Sequence, residues 1–495
     1  MKIVSVAQMR ALEQAAFASG IAEAALQQRA GTVVAEEVAR LAVVGERVVV
    51  LVGHGNNGRD GGIAALWLAL NQRRVDVVLA PRHTLTVEEL ALLRSRGART
   101  LSSEAREALV GALAGAAVAV DALAGIGVTG ALREPLAGLA AAINAQRAPY
   151  VVALDIPSGI DADTGAVPGE AVRADVTVTL GAVKQGLLRF PAAKYVGQII
   201  ARDIGIPAEA QQELPYDVLE PPRLAPRPLD AHKYHFGRVL IVAGSDHFLG
   251  APVLCAGGAL RVGAGLVTVG STADVRRTVA AHLPEATYTV QDVNLNTEPL
   301  EPYLESHQAL VIGPGLGRGS RVTAFVHEVL TKRPSGKVVL DADALVALSE
   351  IPEWPKLLPP ETVLTPHAGE LERLAGAPPE GEPTWQTARR LAQQWQCVVL
   401  AKGPFTSVAE PNGQVQVWPR ANPALATGGT GDVLAGICGG LLAQGCSAAE
   451  AASQAVVVHA LAAERIRGER AWGTLLASDL LAAVPAVVGT LTPRR

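Results

Sequence analysis

Apolar positions recur every three to four residues over 6–19 and 23–44, which predicts two helices, with Gly20 ending the first. The rhythm then breaks into a solid apolar run, Arg47-Val-Val-Val-Leu-Val-Gly53, the mark of a strand buried on both faces. A Gly/Asn loop over 54–62 and a helix through Asn71 follow. The same step recurs: strand 75–80, helix 86–96, strand 116–121, a Gly-rich loop over 125–130, a helix from about Glu134, strand 150–154, and strands at 175–180 and 198–203. This alternation predicts an α/β fold with a mainly parallel sheet covered on both faces, Rossmann-like in its layering.

A second series begins after residue 229. Apolar strands are expected over 238–245 (running into a turn), 265–269 and 309–317 (with a Gly-rich end). The strand-to-helix step repeats over 338–345 and 363–371, the apolar segment 397–406 follows, and helices are expected at 250–261 and 320–331. A hairpin turning at Asn412-Gly413 is expected next, then a helix behind Gly428-Gly-Thr-Gly-Asp432 and another over 449–466. Between the two series, 215–229 carries five prolines and no periodicity, so it reads as an extended, semi-rigid linker. The expected organisation is two three-layer α/β/α domains, 1–214 and 230–495, joined by that linker.

Composition narrows the class. At 495 residues there is room for several cores, and 49% hydrophobic with 4% aromatic residues suits the Ala, Val and Leu interiors of α/β enzymes. A net charge of -4, with no basic run, argues against a nucleic-acid partner. Cys255, Cys397, Cys438 and Cys446 stand in apolar segments without CxxC spacing, as reduced core thiols would. The longest charge-free apolar run, 108–120, is too short to span a bilayer and no signal-peptide block opens the chain, so a cytoplasmic protein without a membrane partner is expected. Its partners should be small molecules and further copies of itself as a homo-oligomer.

Candidate chemistry lies where strands end. Asp432 follows Gly428, Gly429, Thr430 and Gly431 and precedes a helix. Glycines and a helix start present backbone N–H groups to a phosphate. A carboxylate there would repel phosphate, but it makes sense as a base that deprotonates an attacking hydroxyl. An N-capping Asp in a Gly-rich turn is the plainer alternative. No Walker lysine motif is present. In the first half, loops with Asn56, Asn57, Asp60, Asp121, Asp155 and Ser158 should meet at the carboxyl edge of the sheet, where oxygen donors could hold a hard cation.

These residues resemble a known family. Gly55-Asn-Asn-Gly-Arg-Asp-Gly, Asp121-Ala-Leu-Ala-Gly-Ile-Gly and Asp155-Ile-Pro-Ser-Gly-Ile-Asp resemble the epimerase domain of bifunctional NAD(P)H-hydrate repair enzymes. Six motifs, from Gly263-Ala-Gly-Leu-Val through Gly313-Pro-Gly-Leu-Gly, Leu340-Asp-Ala-Asp, Thr365-Pro-His-Ala-Gly-Glu and Lys402-Gly-Pro-Phe-Thr to Asn422-Pro and its Gly-rich turn, resemble the ribokinase-like ADP-dependent dehydratase domain. The resemblance implies epimerisation of R and S hydrates of NADH and NADPH, then dehydration of the S form with ADP as co-substrate. It implies potassium on Asn57, Asp121 and Ser158, and substrate against Asn56, Asn57, Gly58, Arg59, Asp60, Gly125, Ile126, Gly127, Val128, Thr129, Gly130, Ala131 and Asp155, the last as acid/base.

In the second half the resemblance implies nucleotide at Lys402, Gly403, Pro404, Phe405, Thr406 and Gly431, and hydrate at Ala264, Gly317, His367 and Asp432, with magnesium on the diphosphate. The chain departs from the family pattern at Gly58-Arg59-Asp60 for Gly-Gly-Asp, at Gln27-Gln28-Arg29-Ala30-Gly31 for Met-Glu-Asn-Ala-Gly, and at Ala424-Leu425 for Gly-Met. Arg59 is expected to add a cationic contact to substrate phosphate. A small-molecule kinase with an accessory domain is the second reading, separated from the first by a stable phosphorylated product. A binding or scaffold module for the first half is the third, and the retained Asp121, Asp155 and Ser158 count against it.

Overall fold

A computed structural model of the chain describes residues 1–146, 148–290, 295–467 and 474–493. The chain divides into two compact units, Met1–Val218 and Leu219–Arg495. The division falls inside the Pro-rich stretch. From Leu219 onward that stretch is fastened to the second unit: Leu219 N–H donates to Val417 O at 2.8 Å, and Leu224 N–H to Leu491 O at 2.9 Å.

The first unit is built on seven parallel strands: β1 (Arg47–Val52), β2 (Arg74–Leu79), β3 (Arg99–Ser102), β4 (Val118–Ala122), β5 (Tyr150–Leu154), β6 (Val176–Leu180) and β7 (Gln198–Arg202). Their spatial order is β3-β2-β1-β4-β5-β6-β7. The order reverses direction between β1 and β4, where Val48 to Val52 pair with Val118 to Ala122. Residues 48–52 are wholly buried, because helices cover both faces. Each such Val or Leu side chain contributes about 1.5–3 kcal/mol of burial.

The second unit adds β8 (Arg238–Val242), β9 (Leu266–Ser271), β10 (Thr287–Val290), β11 (Ala309–Ile312), β12 (Lys337–Leu340), β13 (Glu361–Leu364), β14 (Val398–Ala401), β15 (Ser407–Ala409) and β16 (Val415–Val417). These nine run β16-β15-β14-β13-β12-β11-β8-β9-β10 across the sheet. All pairs from β10 to β14 are parallel, and β14-β15-β16 turns antiparallel through the hairpin at Gly413, whose φ of 87° suits glycine. The order reverses between β8 and β11.

One element differs from expectation. The Gly/Asn stretch after β1 is not a loop through Gly62, because the helix Asn56–Leu70 begins at Asn56. Tertiary packing overrides the poor helix propensity of its glycines. A Cβ on Gly58 would fall 2.2 Å from Gly53 O, on Gly61 2.5 Å from Ala122 Cβ, and on Gly62 2.3 Å from Leu85 Cδ2. The glycines let the helix lie against the strands beneath it. The short strand β3 and the helices Arg106–Ala114, Ala273–His282, Thr384–Trp395 and Ala477–Leu491 are not among the elements expected from the sequence, although Trp385, Ala388, Leu391, Ala392 and Trp395 recur at helical spacing. No described helix is long and apolar enough to cross a membrane.

Candidate active sites

In the first unit the strand reversal opens a cavity of about 590 Å³. Asn56, Asn57, Asp60, Gly125, Ile126, Gly127, Val128 and Asp155 line it, with Glu13, Gln27 and Lys184. Gly58, Arg59, Thr129, Gly130 and Ala131 do not. Gly58 is buried beneath Gly53, and Thr129 to Ala131 are exposed beyond the cavity wall.

Asp155 leaves β5 with φ of 68°, a left-handed backbone uncommon for a non-glycine residue. Its Oδ1 accepts from the Lys184 ammonium, from Leu180 N–H at 3.0 Å and from Thr179 Oγ1 at 3.3 Å. Lys184 is 1% exposed and also donates to Leu180 O at 2.8 Å. Sequence reading missed Lys184. Its signal was a lone cation inside the apolar stretch 176–188.

Asp60 is 8% exposed and its Oδ1 is buried with no partner. Burial first, then the nearby Asp155 and Glu13 charges, push its carboxyl up to about 8, against the pull of Arg59. Asp121, wholly buried, is pushed up to about 6 by burial, opposed by bonds from Ser158 and Leu123. Ser158 N–H donates to its Oδ2 at 2.8 Å and Ser158 Oγ to its Oδ1 at 2.6 Å. Ser158 Oγ and Asn57 Nδ2 both donate to Ala124 O, at 3.2 and 3.1 Å. Asn57, Asp121 and Ser158 therefore meet around one carbonyl.

In the second unit the turn 428–431 feeds the helix Thr430–Ala443, so Asp432 lies in its first turn. The helix is held close to helix Ala251–Val262: a Cβ on Gly436 would fall 1.9 Å from Cys255 O, and one on Gly258 2.6 Å from Val433 O. Thr430 Oγ1 donates to Leu425 O and Thr427 O, both at 2.9 Å, and His459 Nε2 lies 2.9 Å from Thr430 O. Burial pushes the His459 imidazole down to about 4, so it is neutral at pH 7 and donates through Nε2. Among the described residues no hydrogen bond or ion pair engages the Asp432 carboxylate. Burial and the neighbouring Asp341 push it up to about 7, Lys402 pulling the other way.

Lys402, at the end of β14, is tied to Asp341 Oδ1 at 2.7 Å and lies 3.8 Å from Glu370 Oε2. Thr365 Oγ1 donates to the same Asp341 oxygen at 2.7 Å. A Cβ on Gly431 would stand 3.4 Å from Lys402 Nζ, which puts the ammonium beside the turn. His367 caps the helix Ala368–Ala375, its Nδ1 accepting from Gly369 and Glu370 N–H at 3.0 and 3.2 Å. Gly317, with φ of 90°, donates its N–H to Asp343 Oδ2 at 2.9 Å. Gly403 and Pro404 are exposed, Thr406 half-buried, Phe405 buried.

Gly317, His367, Lys402 and Asp432 share the carboxyl edge of the sheet. Ala264 does not. It precedes β9 at the amino edge, its N–H bonded to Ala259 O at 3.0 Å, because helix 251–262 has carried the chain to the far side. Ala251, at the start of that helix, is the alanine on the right edge, 3.0 Å from a Cβ built on Gly315. Asp341 was legible as a strand-end carboxylate in Leu340-Asp-Ala-Asp but was not read as part of the site.

Two sheet edges, each with a lysine (buried in the first unit, half-buried in the second), a carboxylate it holds and a further carboxylate it does not, define a two-site α/β enzyme. Residues 239–486 match the family profile described as NAD(P)H-hydrate dehydratase, and 23–186 the YjeF-related protein N-terminus. Over 478 residues, 89% of the chain and 87% of its relative, it is 39% identical to the bifunctional NAD(P)H-hydrate repair enzyme Nnr of Salinibacter ruber. To its namesake from Coxiella burnetii it is 37% identical, over 96% of each chain. A solved ADP/ATP-dependent NAD(P)H-hydrate dehydratase from Bacillus subtilis, co-crystallised with ATP and Mg2+, is 33% identical over 54% of this chain and 95% of its own, with a TM-score of 0.48. The chain belongs to the family of bifunctional NAD(P)H-hydrate repair enzymes.

Proposed function

We propose that the chain repairs hydrated NADH and NADPH, the first unit interconverting the R and S hydrates and the second dehydrating the S form at the expense of ADP. The observation that carries the second half is Asp432: a carboxylate without a hydrogen-bond or ion-pair partner among the described residues, in the first turn of a helix, with its proton affinity raised to about 7. The hydroxyl on the reduced ring is a poor leaving group. Asp432 takes its proton, the oxygen takes the terminal phosphoryl group of ADP, and AMP departs. Loss of phosphate and of a neighbouring C–H proton then restores the ring double bond. The N–H groups of Gly429 and Gly431 stabilise charge on the transferring group, and Lys402, beside Gly431, adds a fixed cation. Release of AMP and phosphate, with no stable phosphorylated substrate, is the outcome that separates repair from the kinase reading.

Mg2+ would sit on the ADP diphosphate and neutralise its charge, while Asp341 and Glu370 hold Lys402 in place. In the first unit Asn57, Asp121, Ser158 and the Ala124 carbonyl fit a potassium ion, which would anchor the loops that frame the cavity. Asp155 is the acid/base there.

The test is recovery of NADH absorbance from both hydrate epimers with protein, Mg2+ and ADP. Full recovery with release of AMP and phosphate is expected. Asp432→Asn should slow recovery by about 100-fold or more while leaving R/S interconversion intact. Recovery at the normal rate by that variant would remove the proposed base.

A further inference from the structure

The cavity of the first unit holds a second carboxylate to which the reading above gives no chemical task. Asp60 lies in the second turn of helix Asn56–Leu70, 8% exposed, with Oδ1 buried and unpartnered. The charged groups that face it are Asp155, Glu13 and Arg59. The two aspartates are served unequally. Asp155 receives an ammonium, an amide N–H and a hydroxyl, while Oδ1 of Asp60 receives nothing. Lys184 therefore compensates the Asp155 carboxylate at short range, and no ammonium does the same for Asp60 Oδ1. Burial and the two neighbouring carboxylates push Asp60 up to about 8.

Resting on the repair function proposed above, the chemistry of the substrate gives such a pair a task. Water adds to the enamine bond of a dihydronicotinamide with the proton on the carbon β to the ring nitrogen and the hydroxyl on the α carbon. The stereocentre is thus a carbinolamine carbon. It can be inverted without breaking a C–H bond, by opening and reclosing its bond to nitrogen.

We propose that Asp60 is the catalytic acid of the epimerase, giving its proton to the ring nitrogen while Asp155 takes the proton of the hydroxyl. The O–H electron pair becomes the second bond of an aldehyde, and the C–N pair goes to nitrogen, which takes the Asp60 proton. That nitrogen leaves readily because it is conjugated to the ring carboxamide. Rotation turns the other face of the aldehyde to the nitrogen. On closure the nitrogen returns its proton to Asp60, and the oxygen regains one from Asp155. Protons and electrons balance with no added reactant.

The experiment follows R/S interconversion by the full-length protein without ADP, as the rate above the uncatalysed one. Asp60→Asn should lower kcat by about 100-fold, with KM changed less than about threefold. Asp60→Glu should regain part of the loss. The wild-type rate should fall on an alkaline limb near pH 8 that Asp60→Asn lacks. ADP-dependent dehydration of the S hydrate by the same Asp60→Asn protein should stay at the wild-type rate, which shows a folded chain. Asp60→Asn with kcat within about threefold of wild type would overturn the proposal. So would uptake of one solvent oxygen from labelled water per inversion, which would mean that the hydroxyl itself departs. A wild-type protein that dehydrates the S hydrate but leaves the R form untouched would instead sink the epimerase assignment, and this proposal with it.

Discussion

The two units solve one electrostatic problem with opposite choices of partner. Each places a lysine, a carboxylate it holds and a further carboxylate it does not at the carboxyl edge of a parallel sheet, where α/β sheets bind ligands. In the first unit Lys184 takes Asp155, the acid/base candidate, and leaves Asp60 bare. In the second, Lys402 takes Asp341 and leaves Asp432, the catalytic candidate, bare. In both, the carboxylate without a lysine partner is pushed up by burial, to about 8 for Asp60 and about 7 for Asp432. A lysine in such a site therefore does more than bind anions. It decides which carboxylate has a cation at hydrogen-bond distance and which is left without one.

The comparison can be broken most forcefully by removing the lysines. Lys184→Met and Lys402→Met each leave a buried carboxylate without its cation, so each should destabilise its own unit by about 3–5 kcal/mol. Urea unfolding followed unit by unit reads this directly. A loss in the wrong unit, or none in either, would mean that the pairs are not what holds these carboxylates.

Next in size is a shift in pH dependence. The acidic limb of kcat/KM for dehydration should lie near pH 7, where Asp432 loses its proton in the free enzyme. Asp341→Asn removes the negative neighbour that raises Asp432, so the limb should move to lower pH. An unmoved limb in that variant would separate Asp341 from the base.

The smallest effect concerns Arg59, one of the residues that depart from the family pattern. It is half-buried and outside the cavity wall, yet its charge favours ionised Asp60. Arg59→Gly should move the alkaline limb of interconversion upward by a few tenths of a pH unit, a partly exposed charge being screened by water. If Arg59→Gly instead raises KM with the limb in place, the arginine touches substrate phosphate, as the sequence suggests. Wild-type behaviour in both measures would leave Arg59 with neither role.

What the sequence determined by itself was the local grammar. Solid apolar runs such as 47–52 dictate buried parallel strands, because a strand covered on both faces has no polar side to show. The carboxylates at their ends, Asp121, Asp155 and Asp341, were legible for the same reason, as was Asp432 behind its glycines. Tertiary structure alone decided which groups meet. The first turns of helix Asn56–Leu70 exist because glycine lets a helix touch the sheet, against its own propensity. Ala264 and Ala251 look alike in sequence, but twelve residues of helix place them on opposite edges. Lys184 reaches Asp155 across 29 residues of chain, and Lys402 reaches Asp341 across 61. Charge pairing acts through space and not along the backbone, so the choice of which acid stays bare is made only when the sheet brings its strand ends together.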